Sequence, residues 1–321
     1  MFKWQKLGKI FDPTGFKNIE WMAEFAQAPS SLVFDQFVRV YFSCRPGPDE
    51  NGQYVSYSAY VDLDRSNLFN VLRLSPGPVL ELGELGTFDE FGTYPMSVIR
   101  DGDAIHTYYG GWTRCESVPF NVAIGYAVSK DGGETFKKIG AGPVLSYSPD
   151  EPFILSGPKI RKYGDIWRLW YIAGRKWKVI DGKPEPIYKI RMASSVDGIN
   201  WTKLNKDIIV DKLGEDEAQA SPDVIFSRGR YHMFFCYRQA SDFRRNKDRS
   251  YRIGYAYSDD LLNWTRDDSR VGIDVSASGW DSEMLAYPHV LELDGTVYLL
   301  YLGNQVGRFG FGAARLDGVL E

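Results

Sequence analysis

PHVLELDGTVYLLYLG, residues 288–303, decides the fold. A proline opens a short apolar run, Asp294 and Gly295 make a tight turn, and an aromatic-rich run follows. Two β-branched and aromatic runs around Asp-Gly read as a β-hairpin. The same phrase occurs four more times, as PSSLVFDQFVRVYFS (29–43), PMSVIRDGDAIHTYYG (95–110), PKIRKYGDIWRLWYIAG (158–174) and PDVIFSRGRYHMFFCY (222–237). The opening residues Pro29, Pro95, Pro158, Pro222 and Pro288 stand 63 to 66 positions apart. A fixed period of this kind marks a repeat architecture.

Each repeat continues in the same way. A third strand follows in most of them: YVSYSAYVD, VAIGYAVS, KIRMASS, RIGYAYS and FGFGAARL. Three repeats then carry a turn closed by an aromatic, at Ser129–Phe136, Ser195–Trp201 and Ser258–Trp264. No stretch has sustained helical periodicity. Four antiparallel strands repeated five times predict an all-β chain, a five-bladed β-propeller in one domain. The blades span about 20–85, 86–148, 149–212, 213–276, and 277–321 together with 1–13. The last repeat lacks a fourth strand. Phe2-Lys-Trp4-Gln-Lys-Leu7 matches the fourth strands Trp201–Leu204 and Phe136–Ile139, so the N-terminal strand is expected to close the ring by joining the last blade. Closure also removes an exposed sheet edge.

Composition narrows the function. The net charge of −4 disfavours nucleic-acid binding. No run of about 18 apolar residues exists to span a membrane. MFKWQKLGKIFDP has no signal-peptide core, so a cytoplasmic protein is expected. Cys44, Cys115 and Cys236 read as free thiols, with no metal-ligand spacing and no cofactor motif.

The repeat also shows which positions meet. The first strand of a blade lines the central channel, and its start shares a face with the connections between second and third strands. Several of those connections are long, at 44–54, 110–121, 175–188 and 238–251, and long loops on a rigid scaffold carry function. Glu24, Glu90, Glu217 and Glu283 each lie five positions before their proline, and Glu151 lies near in the third blade. Converging carboxylates raise one another's pKa and make general acids. Arg45, Arg114, Arg175 and Arg238 end four of the second strands, and arginine captures carboxylate or phosphate in bidentate fashion. They could equally pair with the glutamates. Gln27, Thr93, Ser156, Gln219 and Tyr287 are candidate hydroxyl binders, and Tyr94, Trp112 and Trp177 could stack on a sugar. One residue past each proline, the channel should present Ser30, Met96, Lys159, Asp223 and His289; Asp223 and His289 join the binding candidates.

At this point the whole chain resembles the five-bladed propellers of the arabinanase, levansucrase and invertase superfamily, which includes family 43 and family 32 glycoside hydrolases. The resemblance rests on the proline openings, the aromatic second strands, and the Asn-Trp turns at 195–201 and 258–264. It implies a glycoside bound in a funnel at one end of the channel and cleaved by acidic residues. The resemblance implies acids one residue before the proline in the first and a middle blade, and two residues before it in an E-x-P phrase. Here those positions are Ala28, Gly157 and Ala220. Residues 129–136 also resemble the Asp-box of sialidases, a hairpin staple on the face away from the site. The expected function is a glycosidase or related glycosyl-transferring enzyme acting on an acidic or phosphorylated saccharide, with Glu24 and Glu217, on the blades where the superfamily puts its base and its acid, the first candidates for the pair. The alternatives are a non-catalytic binder of an acidic glycan or sugar nucleotide, and a scaffold for a protein partner.

Overall fold

The computed structural model describes residues 1–16 and 18–321. Five separate four-stranded antiparallel sheets follow one another along the chain. Blade one is Glu24–Val33, Phe37–Arg45, Tyr57–Asp64 and Asn67–Leu74. Blade two is Gly92–Asp101, Ala104–Thr113, Asn121–Ser129 and Lys137–Lys138. Blade three is Leu155–Tyr163, Ile166–Ile180, Lys183–Ser195 and Thr202–Lys203. Blade four is Ala218–Ser227, Arg230–Arg238, Arg252–Ser258 and Thr265–Arg266. Blade five is Ala286–Leu293, Thr296–Leu302, Phe311–Leu316 and, as its outer strand, Trp4–Phe11. The N-terminal strand closes the ring, with Trp4 opposite Leu316 and Phe11 opposite Phe311.

The period of prolines has a physical cause. In every blade the first strand gains one residue on the second at the proline: Gln27 and Ser30 face Ser43 and Tyr41, and Ala286 and His289 face Leu302 and Leu300. The same shift occurs at Thr93/Met96, Ser156/Lys159 and Ala220/Asp223. Each is a β-bulge, and it holds the proline where no ladder hydrogen bond is required of it. Ala28, Gly157, Ser221 and Tyr287, each preceding a proline, have φ of 52°, 58°, 49° and 50°. Tyr94, the fifth, precedes its proline through a cis peptide.

Apolar residues fill the seams between blades. Tyr41, Tyr60, Met96 and Phe136 join blades one and two; Trp170, Met233 and Phe235 join three and four. The Asp-box turns also stitch blades. Asp131 takes the Thr135 hydroxyl at 2.6 Å, and the Gly133 carbonyl of that turn accepts from Tyr41 of the preceding blade at 2.7 Å. The Gly198 carbonyl likewise accepts from Tyr108 at 2.6 Å.

One expectation changes here. Residues 175–188 are not an irregular loop. The second and third strands of blade three run on as a two-stranded arm, turned at Asp181 and Gly182 with φ of 49° and 75°. That geometry is the usual one for an Asp-Gly hairpin.

The closing seam is aromatic. Phe11, 2% exposed, lies 5.0 Å from the Phe42 ring of blade one and 5.8 Å from Phe311 of blade five. Phe11→Ala removes this bridge and should destabilise the protein by about 3–5 kcal/mol in denaturant unfolding; a loss below about 1 kcal/mol would show that the seam does not depend on it.

Candidate functional site on the funnel face

The innermost strands have no sheet partner on the channel side, so their inward N–H groups need other acceptors. Side chains of the neighbouring blade supply them. Ser30 Oγ accepts from Val98 N, and Ser97 Oγ from Ile160 N. Asp223 Oδ2 accepts from Val290 N, and His289 Nε2 from Ser31 N. Between blades three and four the direction reverses, with Arg161 Nε donating to the Val224 carbonyl at 3.0 Å. Asp223 and His289 therefore belong to this ring. Because Nε2 accepts, the imidazole proton sits on Nδ1, 2.9 Å from Asp223 Oδ2. Arg161 holds the other Asp223 oxygen at 2.5 Å. Lys159 Nζ reaches the Pro29 carbonyl at 3.3 Å. Burial lowers Lys159 to about 8 and, with Lys159 alongside, lowers His289 to about 4. All of these side chains except Arg161 are buried.

The glutamates expected to converge are dispersed, and most are occupied. Four blades share a clamp between an acid in the loop entering the blade and a cation on its fourth strand. The pairs are Asp89–Lys138 (2.6 Å), Glu151–Lys203 (2.5 Å), Glu217–Arg266 (2.6 Å) and Asp281–Lys6 (2.8 Å). Glu217 is fully buried and also accepts from Gln219 Nε2 and the backbone N–H of Lys212 and Leu213. Glu151, equally buried, meets Arg191 and Tyr171 as well. Glu90 caps a turn by accepting from Gly86 N, and Glu283 is exposed. The clamps had a signal in the sequence: the cation stands two residues after the aromatic in Phe136–Lys138, Trp201–Lys203, Trp264–Arg266 and Trp4–Lys6. Blade one has Val71 two residues after Phe69 and no such clamp.

Glu24 is the remaining candidate. It lies opposite Arg45 in the ladder, and Arg308 holds its Oε1 at 2.5 Å. Its Oε2 is buried without a hydrogen-bond partner. Arg308 follows a turn in which Gln305 and Val306 adopt φ of 56° and 54°. A β-branched residue in that region is strained. The Val306 carbonyl accepts from Gln27 Nε2 at 2.6 Å. Strain of this kind clusters at functional sites.

The four arginines have different fates. Arg45 reaches Tyr94 OH (2.9 Å), Gln27 Oε1 (3.3 Å) and Ser56 Oγ (3.0 Å). Its guanidinium lies over the rings of Phe25, Tyr54 and Tyr94. Arg114 pairs with Asp49, and Arg175 is exposed, 3.7 Å from Asp207. Arg238 is buried and fully engaged: it donates to Tyr251, Tyr188 and the carbonyls of Pro186, Gln239 and Ala240. It is a brace between blades three and four rather than an open anion site.

Tyrosines precede two of the five prolines. Tyr94 and Tyr287 occupy two of the five bulge positions; Ala28, Gly157 and Ser221 occupy the others. Tyr188 and Tyr251 join hydroxyls at 2.9 Å, and the Tyr251 and Tyr287 rings lie 6.1 Å apart. Burial raises Tyr251 and Tyr287 well above the ordinary phenol value, so both stay protonated. Tyr94 stacks on Trp112 at 5.0 Å, Trp112 meets Phe120 at 4.3 Å, and Phe120 meets Trp177 at 5.3 Å. This aromatic wall suits a sugar face. Thr93 and Ser156 are buried beside the bulges, and Gln219 turns away to Glu217 and Asp211.

No family model matches the chain. The uncharacterized protein Rv1502 of Mycobacterium tuberculosis is 35% identical over 316 residues, covering 98% of this chain and 99% of that one. A 1,2-beta-oligomannan phosphorylase of Thermoanaerobacter is 25% identical over 78% of this chain and 77% of its own. Among solved structures, a glycoside hydrolase superposes with a TM-score of 0.77 at 17% identity, over 99% of this chain and 93% of that one. A thermostable family-43 glycoside hydrolase gives 0.63 at 17% identity, over 92% and 88%. The beta-1,2-mannobiose phosphorylase from Listeria innocua gives 0.70 at 13% identity, over 98% and 96%. The fold is thus the five-bladed propeller of these enzymes. Among the described residues, no helix is long and apolar enough to cross a membrane.

Glu217→Ala takes one of two carboxylates from the buried Arg266 side chain, leaving Asp268 at 3.0 Å, and unpairs the N–H groups of Lys212 and Leu213; a loss of about 1–3 kcal/mol is expected in denaturant unfolding, and unchanged stability would show that the clamp does not contribute. His289 gives a pH signature. The unfolded chain takes up its proton near the ordinary 6.5, the folded chain only near 4. Stability contributed by the neutral ring is therefore lost as pH falls from about 6.5 to about 4. Unfolding titrations of His289→Asn should show a flatter slope across that window than the parent protein.

Proposed function

We propose for this chain, which belongs to the same protein family as the Mycobacterium tuberculosis protein Rv1502, a glycosyl-transferring activity on a saccharide bound in the funnel. The observation that carries it is the wall itself. Tyr94, stacked on Trp112, is held by Arg45, and Arg45 lies opposite Glu24, a half-buried acid that is free of the blade clamps and has one buried oxygen without a hydrogen bond.

The number of free acids bears on the reaction. Glycoside hydrolysis by the usual routes takes two carboxylates, about 5–9.5 Å apart. Only one group must donate a proton if the attacking group is already an anionic nucleophile. Inorganic phosphate is one. In that reaction a phosphate oxygen bonds to the anomeric carbon as the glycosidic C–O bond breaks, and the Glu24 proton goes to the departing oxygen. The 25% identical relative named a 1,2-beta-oligomannan phosphorylase supports this route. Arg308 must release Glu24 for the carboxyl to hold a proton, which makes the strained Gln305–Val306 turn part of the working site. A saccharide carrying an acidic or phosphoryl group fits the cationic side chains around the funnel.

A second reading has its own support. None of the five bulge positions carries a carboxylate, so the funnel can equally serve a protein that binds a saccharide without cleaving it.

The test is incubation of β-linked oligosaccharides with and without inorganic phosphate, with detection of sugar 1-phosphate and of reducing ends. Glu24→Gln should lower kcat by about 10²–10⁴-fold while thermal stabilisation by the same saccharide persists. Full activity in Glu24→Gln removes Glu24 from the mechanism. Stabilisation of the parent protein with no product from any bond tested supports the binding reading.

A further inference from the structure

Beside the funnel, where the 238–252 connection of blade four meets the loop entering blade five, lies a cavity of about 230 Å³. Arg244, Arg245, Lys247, Ser250, Glu283 and Phe243 contribute to its lining. Phe243 is a fixed wall, clamped between the guanidinium groups of Arg238 (3.7 Å) and Arg244 (4.2 Å). Its ring meets Tyr251 at 5.8 Å, and Tyr251 in turn meets Tyr287, the bulge residue of blade five. The cavity is thus two rings from the funnel floor.

Two observations point to a ligand. Ser250 is 95% buried (5% exposed), and its hydroxyl has no hydrogen-bond partner. A buried hydroxyl left unpaired costs about 1–3 kcal/mol, and rotation of the Ser250 side chain would bring it to a ligand oxygen in the cavity that the residue lines. The charges are also uncompensated. Arg244 pairs with Glu185, but among the described residues Arg245 and Lys247 have no carboxylate partner. They stand on a chain whose net charge is −4.

We propose that this cavity is a subsite for the phosphoryl group of a phosphorylated saccharide, an inference that rests on the funnel reading above. A phosphate monoester carries close to two negative charges and three acceptor oxygens. Arg245, Lys247 and the Ser250 hydroxyl supply two cations and a third donor. A carboxylate would leave one cation unmatched. Glu283, on the same wall, repels the phosphoryl group from its side and accepts from a sugar hydroxyl. The cavity is smaller than the roughly 300–1,000 Å³ of a complete ligand site, which fits one charged group of a ligand seated in the funnel.

The probes are inorganic phosphate, glucose 6-phosphate, glucuronate and glucose, read as shifts of the thermal midpoint at matched ionic strength in chloride. Inorganic phosphate and glucose 6-phosphate should stabilise the protein more than chloride or glucuronate does. The exposed pair Arg245→Ala/Lys247→Ala should weaken apparent phosphate affinity at least 10-fold, and Ser250→Ala by about 3-fold, while Arg230→Ala, at the hairpin of the first two strands of blade four and paired with Asp259, leaves it unchanged. No response to phosphate, an equal response to chloride or glucuronate, or an undiminished response in the double variant overturns the subsite. A protein that responds to phosphate through Arg245 and Lys247 but to no neutral oligosaccharide keeps the subsite and counts against the funnel reading instead.

Discussion

The constraint on which this structure depends is that five sheets converge on an axis without pairing with one another. Each innermost strand is therefore an edge whose inward backbone groups must be satisfied by something other than a ladder. Ser30, Ser97, Asp223 and His289 do this by accepting N–H groups from the next blade, and Arg161 completes the circuit through a carbonyl. An Asp, a His and a Lys packed together look like catalytic equipment. Here their lone pairs and protons are spent on the architecture. Ser30, Ser97, Lys159, Asp223 and His289 are all buried, so none of them faces solvent.

The second level of organisation is the clamp between blade entrance and outer strand. Buried ion pairs add little stability relative to apolar packing of the same volume, yet losing one partner is costly. Their effect is to define where each entering loop sits. Four blades have the device and the first does not. That asymmetry leaves Glu24 with a partner from another blade and one oxygen without any hydrogen bond. A near-symmetric ring thus acquires a single distinct sector, at the joint of blades five, one and two, where Arg45, Tyr94 and Gln27 also meet.

Much of the fold was legible because its determinants are local. The bulge needs a proline within one strand, the hairpins need Asp-Gly, and the closing strand repeats an aromatic pattern found in blades two to four. The site was harder because its determinants are distant pairings. Glu217 and Arg266 are 49 residues apart, and Lys6 and Asp281 are 275 apart. Glutamates recurring at one position look like a ring of acids when seen alone. Seen with a cation two residues after each fourth-strand aromatic, they become one half of a structural motif. Arg238 shows the same limit: the Tyr188 and Tyr251 hydroxyls that engage it come from other strands and connections. The strained Val306 had no sequence signal at all, since nothing local requires a valine to adopt a left-handed conformation.

The closing strand sets an order on synthesis. Residues 4–11 leave the ribosome long before residues 311–316, the strand with which they pair. Until then Phe2, Trp4 and Phe11 have no seam to enter, and the blade-one face that receives Phe11 stays open. Blades two to four can each complete a sheet as they emerge, but blade five cannot. The Lys6–Asp281 clamp and the Phe11 contacts with Phe42 and Phe311 therefore form among the last. A strand made early is used late, and the ring stays open until residues 311–316 have been made.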